Sequence, residues 1–348
     1  MISDALAAAI PQFGDPRGYL AVASIGIPPK SAVEALTADL AAWSIAQRDP
    51  QGYDEVIART RAHYASLVGM PASRVATGSQ TSVLASIVAA AVPDGAEVLV
   101  ADRDFSSILF PFLQRKGIRV RSVPLEALAD SISDETWLVV FSMVQSRSGV
   151  VADAPAILEA AARTNTFTFC DFTQAAGVLP VDASLFDVTV CHSYKWLCAP
   201  RGVAFMTLSD RFDPLLTPLQ AGWYAGDDVW TSTYGPEMKL APDARRFDVS
   251  PPWQAWIGAE QSIALFAGLD IAEVWQHCVA LGDDLCDQLG IPQQHQAIVT
   301  WEDPDGADLQ ALLAADIRIS GRAGRLRASF HLWNDPTDVT SVLKVLKG

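Results

Sequence analysis

Positive charge is scarce in this 348-residue chain: 25 Lys+Arg stand against 40 Asp+Glu, leaving a net charge of −15. No basic stripe able to neutralise a run of phosphates is present, which argues against a nucleic-acid partner. Long hydrophobic runs are also missing. The longest mainly apolar stretches, Val83–Val92 and Trp137–Phe141, fall short of the roughly 20 residues that span a bilayer, so no membrane partner is expected. The opening residues, Met1-Ile-Ser-Asp4, show no basic region leading into an apolar block, and no secretory signal is expected. The five cysteines (Cys170, Cys191, Cys198, Cys278 and Cys286) have an odd count and no framework spacing. They read as free thiols in a reducing cytoplasm. The five histidines are scattered without metal-ligand spacing. Neither a Gly-x-Gly-x-x-Gly after a strand nor a Gly-x-x-x-x-Gly-Lys-[Ser/Thr] occurs, which disfavours nucleotide-dependent chemistry.

What is present is apolar material: half the residues are hydrophobic and 19% are charged. Such a chain can offset the entropy of ordering. At roughly 150 residues per domain, the length suggests two parts, with a boundary expected near residue 240: an arm and large domain over 1–240, and a smaller domain over 241–348. An irregular opening is followed by a helix over Ala32–Trp43, with Ser31 as its cap and Glu34 three residues on, and a second over Asp54–Leu67. A regular alternation then starts near Arg74. Strands are expected at Val75–Thr77, Glu97–Ala101, Arg119–Val123, Leu138–Ser142, Phe167–Asp171, Phe186–Cys191 and Gly202–Thr207. Helices fall between them at Thr81–Ala91, Ile108–Lys116 and Ala154–Thr164. Short apolar strands alternating with helices predict an α/β fold, with a mostly parallel seven-stranded sheet buried on both faces. Residues 212–256 are irregular and rich in Trp, Gly and Pro, as functional segments often are. A helix over Trp256–Phe266 that runs on toward His277, another over Val279–Leu289 and an α/β tail over Ala297–Lys347 complete the smaller domain.

In open parallel sheets ligands sit at the carboxyl ends of the strands. There the sequence places Asp171 and Gln174 (Asp171-Phe-Thr-Gln-Ala-Ala-Gly177), Lys195 (Cys191-His-Ser-Tyr-Lys195), a hydroxyl-rich helix start (Gly78-Ser-Gln-Thr-Ser82) and Phe105. One cofactor uses all four: pyridoxal 5′-phosphate. A lysine amine carries it as a Schiff base, a carboxylate pairs with its pyridinium nitrogen, an aromatic ring covers its face and a helix N-terminus holds its phosphate.

These residues lie in longer motifs, Phe169-Cys-Asp-Phe-Thr-Gln-Ala-Ala-Gly177 and Ser193-Tyr-Lys-Trp-Leu…Pro200-Arg-Gly202, with Asp171 and Lys195 24 positions apart. Near the end stands Leu326-Arg-Ala-Ser-Phe-His-Leu-Trp-Asn334. In these segments the chain resembles the class V aminotransferase family of fold-type I pyridoxal-phosphate enzymes, with its kynureninase, isopenicillin N epimerase and C–S lyase branches. The resemblance implies Lys195 as the Schiff-base lysine and acid/base at the substrate α-carbon, Asp171 against the pyridinium, Gln174 at the phenolic oxygen and Phe105 over the ring. It implies Ser79, Gln80 and Thr81, with His192 and Tyr194, around the phosphate, and Ser146 close to the cofactor. Ser250, in Phe247-Asp-Val-Ser-Pro-Pro252, stands where relatives reach the partner subunit's phosphate. Arg327 is implied as the clamp for the substrate α-carboxylate. A homodimer and a small amino-acid substrate follow from the same resemblance.

The cofactor supports several reactions, and the pocket chooses among them. Persulfide-forming desulfurases of this family carry a nucleophilic cysteine shortly before the terminal arginine. The corresponding Ile298–Asp305 has none, so that chemistry is not expected. The segments Ser146-Arg-Ser-Gly149 and Lys195-Trp…Gly202 most resemble the C–S lyase and epimerase-like branches. Cα deprotonation followed by β-elimination or transamination is the expected chemistry, with epimerisation or kynureninase-like hydrolysis as alternatives. A non-catalytic, cofactor-binding regulatory protein is the rival of another class.

Overall fold

The computed structural model describes residues 2–322 and 324–347. Helix α1 (Asp4–Ala9), capped by the Ser3 side chain, opens an N-terminal arm that continues through a 3-10 turn (Ile10–Phe13) and irregular backbone to Pro29. Helices α2 (Lys30–Ser44) and α3 (Gly52–Leu67) follow. The expected Ser31 cap is not found: the helix starts at Lys30 with Pro29 in the cap position and no side-chain cap bond. The Pro28-Pro29 pair holds extended backbone up to the first turn, so Ser31 is already helical.

The alternating region contains β1 (Val75–Gly78), α4 (Thr81–Ala91), β2 (Glu97–Ala101), α5 (Ser106–Gln114), β3 (Arg119–Val123), the short α6 (Leu128–Ser131), β4 (Thr136–Ser142), α7 (Ala154–Thr164), β5 (Phe167–Asp171), β6 (Val188–His192) and β7 (Ala204–Leu208). The seven strands form one sheet in the order β1-β7-β6-β5-β4-β2-β3. Only β7 runs against its neighbours, pairing antiparallel with both β1 and β6. Both faces are covered, and the alternation along β4 shows how. Val139 and Phe141 join a layer with Tyr64 and Ile157, while Leu138 and Val140 join Leu84, Val88 and Phe112 on the other side. Strand β6 begins two residues later than the pattern predicts. Phe186 and Asp187 leave the ladder because the Asp187 carboxylate is occupied by the Thr168 N–H and the Arg211 guanidinium.

After the irregular span come α8 (Trp253–Ala267) and α9 (Ile271–Leu289). The expected continuation toward His277 is broken at Gly268–Asp270, where the axis turns by 88° and the Asp270 side chain caps the Ala272 N–H. Helix α8 packs across α2 and α3. The tail holds β8 (Ile298–Glu302), α10 (Ala307–Ala314), β9 (Ser320–Arg322), β10 (Arg325–Ser329) and α11 (Pro336–Lys347), with an antiparallel sheet in the order β8-β10-β9. Among the described residues no single helix is long and apolar enough to cross a membrane.

The terminal motif ties the arm to this tail. The Ser329 hydroxyl donates to the Leu20 carbonyl (3.0 Å) and accepts from the Ala23 N–H (3.1 Å). The Asn334 amide donates to the Tyr19 carbonyl and to Asp338, whose other oxygen receives the Gly18 N–H. Farther along the arm, the Gly26 N–H donates to the Tyr194 carbonyl (2.8 Å). A Cβ at position 26 would lie 2.1 Å from the Lys195 carbonyl oxygen, so only glycine admits this approach.

Candidate active site

Strands β2, β4, β5 and β6 end on one edge of the sheet, and their last residues build the site. Lys195 follows β6 in a tight turn and is 4% exposed. Its Nζ lies 5.1 Å from the centroid of Phe105 and 5.6 Å from that of Tyr194. Among the described residues it makes no hydrogen bond or ion pair. Burial, helped by the Arg327 and Arg201 charges and opposed by Asp171, brings its proton affinity down from 10.5 to about 8. Asp171 ends β5 and is buried, with Oδ1 accepting the Thr173 N–H (2.8 Å). Burial outweighs that bond and the Lys195 charge, raising the carboxyl from 3.8 to about 6. The two groups feel each other's charge without meeting in an ion pair.

Phe105, 42% exposed, is held by the residue before it. The buried Asp104 accepts from the Phe105 N–H and from the N–H and hydroxyl of Ser142 at the end of β4. Asp104 thus fixes the ring's loop to the neighbouring strand. Thr81 starts α4, and its hydroxyl lies 3.5 Å from that of Thr173. The first turn of α4 has no side-chain cap, so the N–H groups after Ser79 and Gln80 remain available to an anion. His192 packs edge-on to Tyr194 at 4.4 Å. Burial holds it neutral, with its pKa lowered to about 4. The Arg201 guanidinium covers the same tyrosine ring at 4.3 Å. Ser250 lies exposed on the link before α8 and makes no hydrogen bond to these groups among the described residues.

Arg327, on β10 and 2% exposed, reaches the same edge. It donates to the carbonyl and hydroxyl of Ser146, to the Ser24 hydroxyl (2.9 Å) and to Ser320 (3.1 Å). Gln174 donates to the Ser146 hydroxyl and the Ala23 carbonyl (both 3.0 Å) and accepts from the Trp196 indole (2.8 Å). Its amide is therefore engaged with Ser146, the same residue that Arg327 bonds. Trp196 is fixed in turn by the buried, neutral His331, whose Nε2 bonds to the Trp196 carbonyl (2.8 Å). Sequence reasoning missed Ser24, Thr173, Asp104 and His331. Thr173 and His331 lie inside motifs already singled out, and Asp104 directly precedes Phe105; Ser24 lies in an arm with no periodicity to reveal it.

The sequence profile described as "Aminotransferase class-V" matches residues 50–308. The chain belongs to the class V aminotransferase family. It is accordingly a pyridoxal-phosphate-dependent enzyme. It is 26% identical to the uncharacterized aminotransferase YcbU of Bacillus subtilis, over 65% of this chain but only 63% of that protein. It is 24% identical to the kynureninase of Pseudomonas fluorescens, over 99% of this chain and 92% of the relative. The solved complex of the cystine C–S lyase C-DES with cysteine persulfide has the same fold, with a TM-score of 0.84 at 21% identity over 94% of this chain and 97% of that one.

The site fits the family's cofactor. A buried amine and a buried carboxylate, electrostatically coupled but not in contact, leave two desolvated charges that a group bridging them would satisfy. The partly exposed face of Phe105 beside the amine offers a stacking surface. The residues suited to hold the group are Lys195 covalently, Asp171 at the ring nitrogen, Phe105 over the ring, and Ser79, Gln80, Thr81, His192 and Tyr194 at the phosphate.

Proposed function

We propose that this enzyme removes the α-proton of a sulfur-bearing amino acid and expels the β-substituent, a C–S β-elimination. The bound cofactor would supply an electron sink that makes the α-carbon acidic. The remaining work falls to the chain itself. Arg327, oriented by Ser146 and Ser24, receives the α-carboxylate. Lys195 would take the α-proton, and its lowered proton affinity suits it to do so near neutral pH. Asp171 would hold the cofactor's ring nitrogen protonated. Breaking of Cβ–S would release the sulfur as a thiol, or as a persulfide when the substrate is a disulfide such as cystine, and water would convert the remaining three-carbon fragment to ammonia and a 2-oxo acid.

The observation that carries this reading is Lys195: a buried amine without a hydrogen bond, beside the Phe105 ring and within the field of Arg327. The description of the structural neighbour C-DES as a cystine C–S lyase supports elimination. No protein thiol stands ready to take up sulfur. All five cysteines are buried and free, and burial raises the pKa of each. We read residues 1–240 and 241–348 as the large and small parts of this machinery. We also read the working form as a cytoplasmic homodimer, with Ser250 reaching the neighbouring site. Exposed apolar side chains such as Phe110, Leu113, Leu219 and Tyr234 support an interface.

The test is an amino-acid panel with ammonia, 2-oxo acid and thiol or sulfide measured. Release of ammonia and pyruvate from L-cystine with no added acceptor is expected. A strict requirement for a 2-oxo acid acceptor would decide for transamination instead.

A further inference from the structure

In a chain with 40 acidic and 25 basic residues, a guanidinium readily finds a carboxylate. Many do: Arg61 pairs with Asp248, Arg121 with Glu97, Arg211 with Asp187 and Arg246 with Asp213. Among the described residues Arg103 and Arg147 form neither an ion pair nor a hydrogen bond. Both line the same cavity of about 440 Å³ at the carboxyl ends of β2, β3 and β4, a volume in the range of small-ligand sites.

The cavity adjoins the site already described. Arg147 directly follows Ser146, whose carbonyl and hydroxyl accept from Arg327. Arg103 stands two residues before Phe105. Its backbone adopts the left-handed conformation (φ +60°), which side-chain-bearing residues rarely take and which concentrates at functional sites. The loop below it is braced by the Gln145 amide, which donates to the Asp102 carbonyl (3.0 Å). Two carboxylates also line the cavity. Asp102 accepts from the Ser122 hydroxyl, and Glu126 is exposed and pairs with neither arginine. Two guanidiniums are thus left for an outside anion, and one of them is borne by the residue next to Ser146, which Arg327 bonds.

We propose that Arg147 and Arg103 receive a second acidic group borne on the substrate side chain. The enzyme then selects amino acids with a distal carboxylate or oxidised-sulfur anion. Guanidinium forks suit such groups, which they hold through paired, charge-assisted hydrogen bonds. The inference rests on the reading of Arg327 as the α-carboxylate clamp and Lys195 as the site of cofactor attachment.

The test is a spectral titration of the cofactor-loaded enzyme with matched pairs: L-glutamate against L-glutamine, and S-carboxymethyl-L-cysteine against its side-chain amide. The acidic member should bind roughly tenfold tighter or more, as expected for charge-assisted bonds. Arg147→Gln and Arg103→Gln should each bring that ratio toward one. Arg147→Lys should retain part of it, and Glu126→Gln should increase it. Equal binding of both members by the wild type, or a ratio unmoved in both glutamine variants, would overturn the inference while leaving the reaction intact. A protein that takes up no cofactor, or whose spectrum answers to no amino acid, overturns the functional reading and this inference with it.

Discussion

The Asp171→Asn substitution tests the electrostatics of the site in the cofactor-free protein. With its midpoint near 8, Lys195 is about one-quarter neutral at pH 7.5, against about one part in a thousand for an ordinary lysine. It should therefore be acylated roughly two-hundredfold faster than a solvated lysine of equal reactivity. Asp171 opposes this by stabilising the ammonium. Opposite charges just beyond ion-pair contact attract by about 2–4 kcal/mol at an effective dielectric near 20. Loss of the carboxylate should thus move the midpoint down by about one to three pH units. At pH 7.5 the gain in rate is capped at about fourfold, because the wild-type amine is already partly neutral; below pH 7 it should be larger. Competitive labelling with acetic anhydride across pH 5–10, read as mass-spectrometric yield of the Lys195 peptide, measures both midpoints. A wild-type midpoint near 10.5, or an Asp171→Asn midpoint at or above the wild-type value, would refute the reasoning. Linkage gives a companion signature. Between about 8 and 10.5 the unfolded chain binds more protons at Lys195 than the folded one, so stability rises with pH across that window. Lys195→Met should flatten that rise in a urea-melt series.

Other consequences can be checked separately. Arg327→Ala should weaken amino-acid binding by about 2–3 kcal/mol, the scale of charged hydrogen bonds, while the visible absorbance of the loaded enzyme near ~420 nm persists; loss of that band would remove the clamp assignment. Asp248→Ala strands the buried Arg61 guanidinium, which Asp248 now meets at 2.5 Å, and should cost about 3–5 kcal/mol in chemical denaturation. Ser329→Ala removes the bonds to Leu20 and Ala23 and should cost about 1–3 kcal/mol, with faster proteolysis of the arm. The native thiols should resist Ellman's reagent until the protein is unfolded, because all five are buried.

The parts legible in the sequence share a physical cause. Strands β2 and β5 fall where apolar runs and their punctuation place them, because a strand buried on both faces leaves little room for other residue types. Asp171, Lys195 and Phe105 could be singled out because they stand at strand ends, next to short motifs. The misses lie where non-local contacts decide. Gly268–Asp270 carries only a weak local break, yet the chain turns sharply there. Ser31 looks like a cap until the two preceding prolines fix the start of α2. Ser24 joins Arg327 from 303 positions away, and no periodicity near residue 24 announces it. Gln174 was singled out from its motif, but its bonds to Ser146, Ala23 and Trp196 join segments that no local pattern connects.

The stitching of Leu20 and Ala23 to Ser329 has a consequence for synthesis. At about 5–20 residues per second, the ribosome needs roughly 15–60 s after Ser24 to make Arg327. Throughout that interval the arm has no Ser329 to bind, and Ser24 waits for the guanidinium it orients. The β-sheet and its lysine can form early, but Arg327, the proposed substrate clamp, belongs to the last stretch of translation. A nascent chain stalled before residue 325 would carry the amine and the carboxylate with nothing to hold an amino acid against them.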